Sequence, residues 1–199
     1  MFDDLIVEKS PPPNRRGTCT GEKEHHFTEA AVMLAFAEHL SRTLPALKRV
    51  ELHPDGEHAK QFDIVRWLLA QGFVRGEKRG KTTYGGMYVR GQQTIFVQPK
   101  SGQGDVVAET NVLKLSAECK GGIVNTSHAG QVSRLRKGLC EVIGQLMQTP
   151  KRGVQVAVVP NTAVTLRLAR KLAPRAHDAG IEIALVDSKG RVTDFPFVS

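Results

Sequence analysis

The chain has 199 residues, which is enough for one domain with a complete hydrophobic core. Its net charge of +8 favours a polyanionic partner, nucleic acid first, although many basic proteins bind no nucleic acid. The three cysteines lack the spacing of a disulfide framework or a zinc site, and no apolar run is long enough for a membrane span, so we expect a cytoplasmic protein with no membrane partner.

The amino-terminal third of the sequence divides into an arm and a helix. Residues 1–24 are predicted to be an extended arm or linker, because they contain a proline run followed by two arginines. Residues 25–199 are predicted to form a single domain. Thr28 to Leu40 is nearly continuous in apolar side chains and predicts a buried helix capped by Thr28. Glu29 is a minor candidate for a catalytic acid, since acids that open helices are common for dipole reasons alone.

A second helix and a basic segment follow. Gly56 to Phe73 predicts a helix with one apolar stripe, and Glu57 lies in its first turn. The next segment is predicted to be a basic, glycine-containing loop, and Tyr84 beyond it is a candidate to stack on a base. The candidate phosphate contacts of this loop are Arg75, Lys78, Arg79 and Lys81. A solvated hairpin turn explains the same residues about equally well.

Two short strands joined by a polar turn contain the main candidate functional residues. Val106 to Ala108 supplies the first apolar strand, and Val112 to Ala117 supplies the second. Side chains alternate along a strand, so Glu118 and Lys120 point to one face and Cys119 to the other. If the strands pair as a hairpin, Asp105 lies near Glu118 and Lys120. Two adjacent carboxylates repel each other unless a cation lies between them, and Mg2+ or Mn2+ prefers such oxygen ligands.

The carboxy-terminal half alternates helices and strands. Helices are predicted over 131–148 and 162–179, the second bent or split at Pro174, and β-branched runs at 154–159 and 181–187 predict strands. A short edge strand is expected after the turn at 188–191. This alternation indicates an α/β fold with a mixed sheet.

One motif in this sequence resembles a known signature. Asp105, a gap of twelve residues and then Glu118-Cys119-Lys120 are similar to the Asp…Glu-x-Lys pattern of the PD-(D/E)XK nuclease superfamily, which includes restriction endonucleases and Holliday junction resolvases. The sequence from Ser116 to Lys120 is especially similar to that of the resolvases. Gly104 stands where the superfamily has a proline. In order of elements, the resemblance extends over residues 57–192.

The resemblance implies a restriction endonuclease-like mixed β-sheet flanked by helices and a Mg2+-dependent endodeoxyribonuclease. Asp105 and Glu118 would hold Mg2+ or Mn2+, and Lys120 would stabilise charge on the phosphate or activate water. Gln131 is the expected auxiliary polar residue, while the helix acid of the superfamily would be Glu57, Glu29 or neither.

Several alternatives stay open on the sequence alone. The same fold also serves as a non-catalytic nucleic-acid-binding subunit. DNA is the expected partner with RNA not excluded, and the protein would act in restriction, phage defence or repair. A homodimer and an accessory role in a larger nuclease system are both compatible with the superfamily.

Overall fold

The computed structural model describes residues 5–44, 47, 49–98, 104–150 and 153–193. These residues form a nine-stranded mixed sheet flanked by helices, with a three-stranded antiparallel sheet beside it, which confirms the predicted α/β class. The strands are β1 (Ile6–Lys9), β2 (Glu24–Phe27), β3 (Arg49–Leu52), β4 (Val74–Lys78), β5 (Gly86–Arg90), β6 (Gln93–Val97), β7 (Val106–Glu109), β8 (Lys114–Cys119), β9 (Gly122–Ile123), β10 (Val154–Pro160), β11 (Ile181–Val186) and β12 (Val192–Thr193). The helices are α1 (Glu29–Thr43), α2 (Gly56–Gln61), α3 (Ile64–Ala70), α4 (Ala129–Gln148) and α5 (Ala163–Asp178).

The strand order of the large sheet is β12-β11-β10-β8-β7-β3-β6-β5-β4. β8, β10 and β11 are parallel neighbours, and α4 and α5 provide the crossovers that parallel strands require. β7 is antiparallel to both β8 and β3, as the predicted hairpin requires. These directions bring the carboxyl ends of β3, β4, β6, β8, β10 and β11 to the same end of the sheet as the starts of β5 and β7.

Helices cover the two faces of the sheet unequally. In β10, Val156 and Val158 pack into the core that contains α1, whereas Ala157 and Val159 pack into the core of α4 and α5. A strand buried on both faces explains the continuous apolar run of β10. On the second face α4 packs mainly on β8 and β10, and α5 packs on β11.

The remaining strands are covered on the α1 face and accessible on the other. On the α1 side of β3, β6 and β7 the side chains are fully buried, for example Val50, Ile95 and Val106. Their neighbours on the other side are only half-buried. We call this second surface the open sheet face; it is formed by Glu51, Thr94, Phe96, Val107 and Glu109 with Arg49 at its margin.

The structure differs from the sequence prediction in the second helix and in the segment that follows it. The helix expected over 56–73 breaks into α2 and α3, because Phe62 adopts an extended conformation (φ −146°, ψ 132°) and the Asp63 side chain caps α3 by accepting from the Arg66 backbone N–H at 3.0 Å. The basic loop expected after Phe73 instead begins as edge strand β4, antiparallel to β5. Pro174 is accommodated inside α5 without splitting it.

The arm predicted over 1–24 folds back on the domain where the structure describes it. β1 pairs with β2, and β2 pairs with β9, which follows β8 in the chain. Asn125 fixes this arrangement, because its side-chain amide donates to the backbone oxygens of Thr20 and Lys23, both at 2.9 Å, and its Oδ1 accepts from the His25 N–H at 2.9 Å.

Candidate active site

The hairpin of β7 and β8 places the predicted acidic pair, Asp105 and Glu118, at the end of the sheet where β7 begins and β8 ends. The Asp105 backbone N–H donates to Ala117 O at 2.8 Å, and Asp105 Oδ2 accepts from the Cys119 N–H at 2.8 Å. Cys119 is fully buried on the α1 side, so Glu118 lies on the opposite face of β8. The hairpin prediction is therefore confirmed, and it holds the Asp105 and Glu118 carboxyl groups next to each other.

The two carboxyl groups share an environment that disfavours charge. Burial raises the pKa of Asp105, although the hydrogen bond from Cys119 opposes this shift. Burial and then the adjacent Asp105 charge raise the pKa of Glu118 to about 7, with Glu29 adding to the effect. A carboxyl group with a strongly raised pKa beside a second carboxyl group at the end of a sheet is typical of a functional site.

Lys120 joins this group from the end of β8. Its Nζ lies 3.2 Å from Glu29 Oε2 and 3.3 Å from Glu141 Oε1, so it bridges the start of α1 and the middle of α4. Burial lowers the pKa of Lys120. The charge of Glu29 and the hydrogen bonds that Lys120 makes to Glu29 and Glu141 outweigh burial and leave the pKa of Lys120 raised. The ammonium is therefore charged and held beside the acidic pair.

Glu29 is the helix acid that the structure brings to the site. Thr28 caps α1 by accepting from the Ala31 N–H at 3.3 Å, so the first turn points Glu29 toward Lys120. Its other oxygen lies 2.9 Å from His58 Nε2, and the ring of His58 is oriented by a capping box with Asp55. The sequence reasoning missed His58, since nothing in the pattern of α2 shows that its ring faces α1.

The Glu29–His58 pair has a testable pH dependence. The hydrogen bond to Glu29 raises the pKa of His58 despite burial, so the pair stabilises the fold fully below pH ~6.5 and loses this contribution as the pH rises through the folded pKa. We expect His58→Ala to lower the free energy of unfolding by about 1 kcal/mol at pH 6 and by less at pH 9. Thermal melts at the two pH values check this, and an equal loss at both would contradict the charged pair.

Gly121 explains how β8 approaches α1 closely enough for this contact. A Cβ at Gly121 would lie 2.3 Å from Phe27 O and 2.6 Å from the Glu29 backbone N. We expect Gly121→Ala to destabilise the protein by about 2 kcal/mol or more, because both neighbours are backbone atoms that cannot move separately. Gly144→Ala in α4 is the control: its Cβ would meet nothing within 4 Å, so no loss is expected in the same melts.

Gln131 lies at the same end of the sheet, on the first turn of α4. It is 8% exposed and lines a cavity of about 270 Å³ together with Arg15, Glu29, Gly121 and Arg134. Neither Asp105 nor Glu118 lines this cavity, so the auxiliary role of Gln131 stays a prediction. Glu57 does not reach the group: its carboxylate pairs with Lys60 at 2.6 Å on the exposed side of α2.

The predicted nucleic-acid contacts lie farther away than their sequence positions suggest. β4 is four strands from β7, which corresponds to about 19 Å. Arg75 donates to Gly85 O at 3.0 Å and lies over the Tyr88 ring, and Tyr84 is 8% exposed, too buried to stack on a base. Lys78 and Lys81 are exposed at the edge strand and its turn.

The donor set of the site fits a divalent cation. In the part of the chain that the structure describes, no three His, Cys, Asp or Glu side chains form a group that could hold a metal ion by themselves. Mg2+ needs only one or two carboxylates, because it retains waters and uses substrate phosphates as further ligands. Burial raises the pKa of both Asp105 and Glu118, and the Asp105 charge raises the pKa of Glu118 further, so a cation bound between them would favour their charged forms.

Searches of protein-family models, curated proteins and solved structures find no match to this chain. None of the helices in the described ranges has the length and apolar character needed to cross a membrane. The resemblance to PD-(D/E)XK nucleases therefore depends on the sequence pattern around Asp105, Glu118 and Lys120.

Proposed function

We propose that this protein is a Mg2+-dependent endodeoxyribonuclease with a restriction endonuclease-like fold. The observation that supports the proposal most strongly is the adjacent pair Asp105 and Glu118 with Lys120 at the same end of a mixed sheet. A hydrophobic or polar structural role would not require two half-buried acids whose pKa values are both raised.

Each residue of the group has a distinct role in this proposal. Asp105 and Glu118 hold the divalent cation, which supplies Lewis-acid polarisation of the phosphate and a lowered pKa for bound water. The Lys120 ammonium stabilises negative charge that develops on the phosphate, since it is charged and partly shielded from solvent. Glu29 orients Lys120 and is itself oriented by His58.

One observation favours the alternative, a non-catalytic nucleic-acid-binding subunit on the same fold. The Lys120 ammonium is already engaged by Glu29 and Glu141, so a phosphate must compete with two carboxylates. In a binding module these ion pairs would simply stabilise the junction of α1, α4 and β8.

Incubation of the protein with supercoiled plasmid, a four-way junction, single-stranded DNA and RNA tests the proposal directly. We expect cleavage of at least one DNA substrate with Mg2+ or Mn2+ and none with EDTA. Binding without cleavage of any substrate would support the binding subunit instead, and cleavage that persists in EDTA would exclude the proposed metal dependence.

A further inference from the structure

Two arginine side chains meet over one aromatic ring on the open sheet face. Arg79 Cζ lies 4.7 Å from the centroid of the Phe96 ring, and Arg49 Cζ lies 5.6 Å from it. Phe96 is on β6, Arg49 opens β3, and Arg79 directly follows β4, so three strands contribute. We call Arg49, Arg79 and Phe96 the arginine cluster. Cation–π contacts hold both guanidinium groups at a fixed place on the sheet.

The arginine cluster retains unused hydrogen-bond donors. Arg49 pairs with Glu51 through one terminal nitrogen. Among the residues that the structure describes, no side-chain hydrogen bond or ion pair engages the Arg79 guanidinium, which carries five N–H donors. The acids of the open sheet face are each paired with a cation, Glu51 with Arg49 and Glu109 with Lys114 at 3.7 Å. The cluster therefore presents a positive charge to an incoming anion.

The cluster and the acidic pair lie on the same face. Phe96 aligns with Glu51 on β3, and Glu51 aligns with Val107 on β7, so Phe96 is at the level of the second residue after Asp105. β6 is two strands from β7, and the strand spacing together with this offset places the cluster roughly 12 Å from Asp105. Along the axis of a duplex, the phosphates of one strand advance by about 3.4 Å per nucleotide. The separation corresponds to about three or four base pairs when it is measured along that axis.

We propose that duplex DNA lies across the open sheet face with its axis along the line from Asp105 to the arginine cluster, and that Arg49 and Arg79 bind backbone phosphates about three or four base pairs, measured along that axis, from the bond that is cut. The inference rests on the proposed function only in taking Asp105 and Glu118 as the reacting end of this surface. Both guanidinium groups lie over the Phe96 ring, so the ring positions cations instead of stacking on a base. The contact is therefore to the backbone and independent of sequence.

Binding of a fluorescent duplex in EDTA, measured by anisotropy over a series of salt concentrations, tests this surface. We expect the double variant Arg49→Gln with Arg79→Gln to weaken binding about tenfold or more. The negative slope of log K against log salt should become less steep by about 2, since each arginine neutralises one phosphate. The control pair is Arg167→Gln with Arg170→Gln, which makes the same charge change on exposed positions of α5 and should change affinity less than about twofold.

Equal losses in the two pairs, or no loss in the first, would overturn the proposal. Thermal melting shows whether each variant is folded; if loss of the Arg49–Glu51 pair unfolds the double variant, Arg79→Gln alone should still lower the slope by about 1. Arg79→Lys keeps the charge and should keep the wild-type slope.

A parallel cleavage assay with Mg2+ separates this proposal from the proposed function. Wild-type protein that binds through the arginine cluster but cleaves nothing would exclude the nuclease and leave the surface in place. Protein that cleaves DNA while its binding ignores Arg49 and Arg79 would exclude the surface and leave the nuclease in place.

Discussion

Asp105→Asn should abolish DNA cleavage while leaving DNA binding intact. The substitution removes one of the two proposed cation ligands, and we expect the cleavage rate to fall roughly a thousandfold or more, because both polarisation of the phosphate and activation of water depend on the cation. Binding should survive or tighten slightly, since most affinity comes from phosphate contacts elsewhere and the variant loses a negative charge that faces the substrate.

Asparagine is the better replacement here because of the local hydrogen bond. Asp105 Oδ2 accepts from the Cys119 N–H at 2.8 Å, and an asparagine at this position would retain an oxygen for that donor, whereas alanine would leave it buried and unpaired. Single-turnover cleavage and anisotropy on the same preparation provide the measurement. Lys120→Ala should also block cleavage, by loss of charge stabilisation at the phosphate. Equal cleavage by wild type and Asp105→Asn would mean that another site or a contaminating nuclease is responsible.

Glu118→Gln should stabilise the metal-free protein at high pH. The folded pKa of Glu118, about 7, exceeds its unfolded value of about 4.3, so the native state binds more protons between these values. Stability from this group is then present below the unfolded pKa, declines as the pH rises toward 7 and is absent above it. Because the side chain is half-exposed, we expect the variant to gain only about 1–2 kcal/mol at pH 8 and almost nothing at pH 4.

Thermal melts in EDTA from pH 4 to 8 check this expectation. Glu109→Gln is the matched control, because it makes the same charge change on the same face of the hairpin. Glu109 differs from Glu118 in having a cationic partner, Lys114, at 3.7 Å, and the Glu109 side chain is 44% exposed. We expect its effect to stay within about 0.5 kcal/mol at every pH. Millimolar Mg2+ should reverse the order of wild type and Glu118→Gln at pH 8, because only the wild type has both ligands. A Glu118→Gln variant that melts below wild type in EDTA at pH 8 would contradict the cost of a charged Glu118 carboxylate that is partly buried beside Asp105.

Local patterns in the sequence predicted much of this fold. Alternation along 106–119 gave the β7–β8 hairpin, and the β-branched run at 154–159 gave a strand buried between helices. The break between α2 and α3 was missed because the apolar stripe continues past Asp63, whose capping role depends on the backbone turn before it. β4 was missed because its exposed face contains arginine, glutamate and lysine, which are also the residues of loops.

The candidate site was predictable mainly where its residues are close in the chain, and Glu29 was only a minor candidate. Asp105, Glu118 and Lys120 share one hairpin, so strand alternation was enough to group them. Glu29 and His58 join them through tertiary packing, which depends on Gly121 allowing the start of α1 to approach β8. The arginine cluster draws on three strands whose order in the sheet no local pattern reveals.

The hydrogen bonds that Asn125 makes to the amino-terminal segment have a consequence for how the chain folds. The segment that they hold, from Thr20 to His25, is synthesised about a hundred residues before Asn125 itself, and β2 likewise precedes its partner β9. Closing so long a loop is slow and gains little until the core that supports β9 exists. We therefore expect the early segment to dock only after the β8 strand that completes the acidic group has been synthesised. Assembly of the small sheet would then be among the last folding events, and hydrogen exchange should find it among the first regions to open.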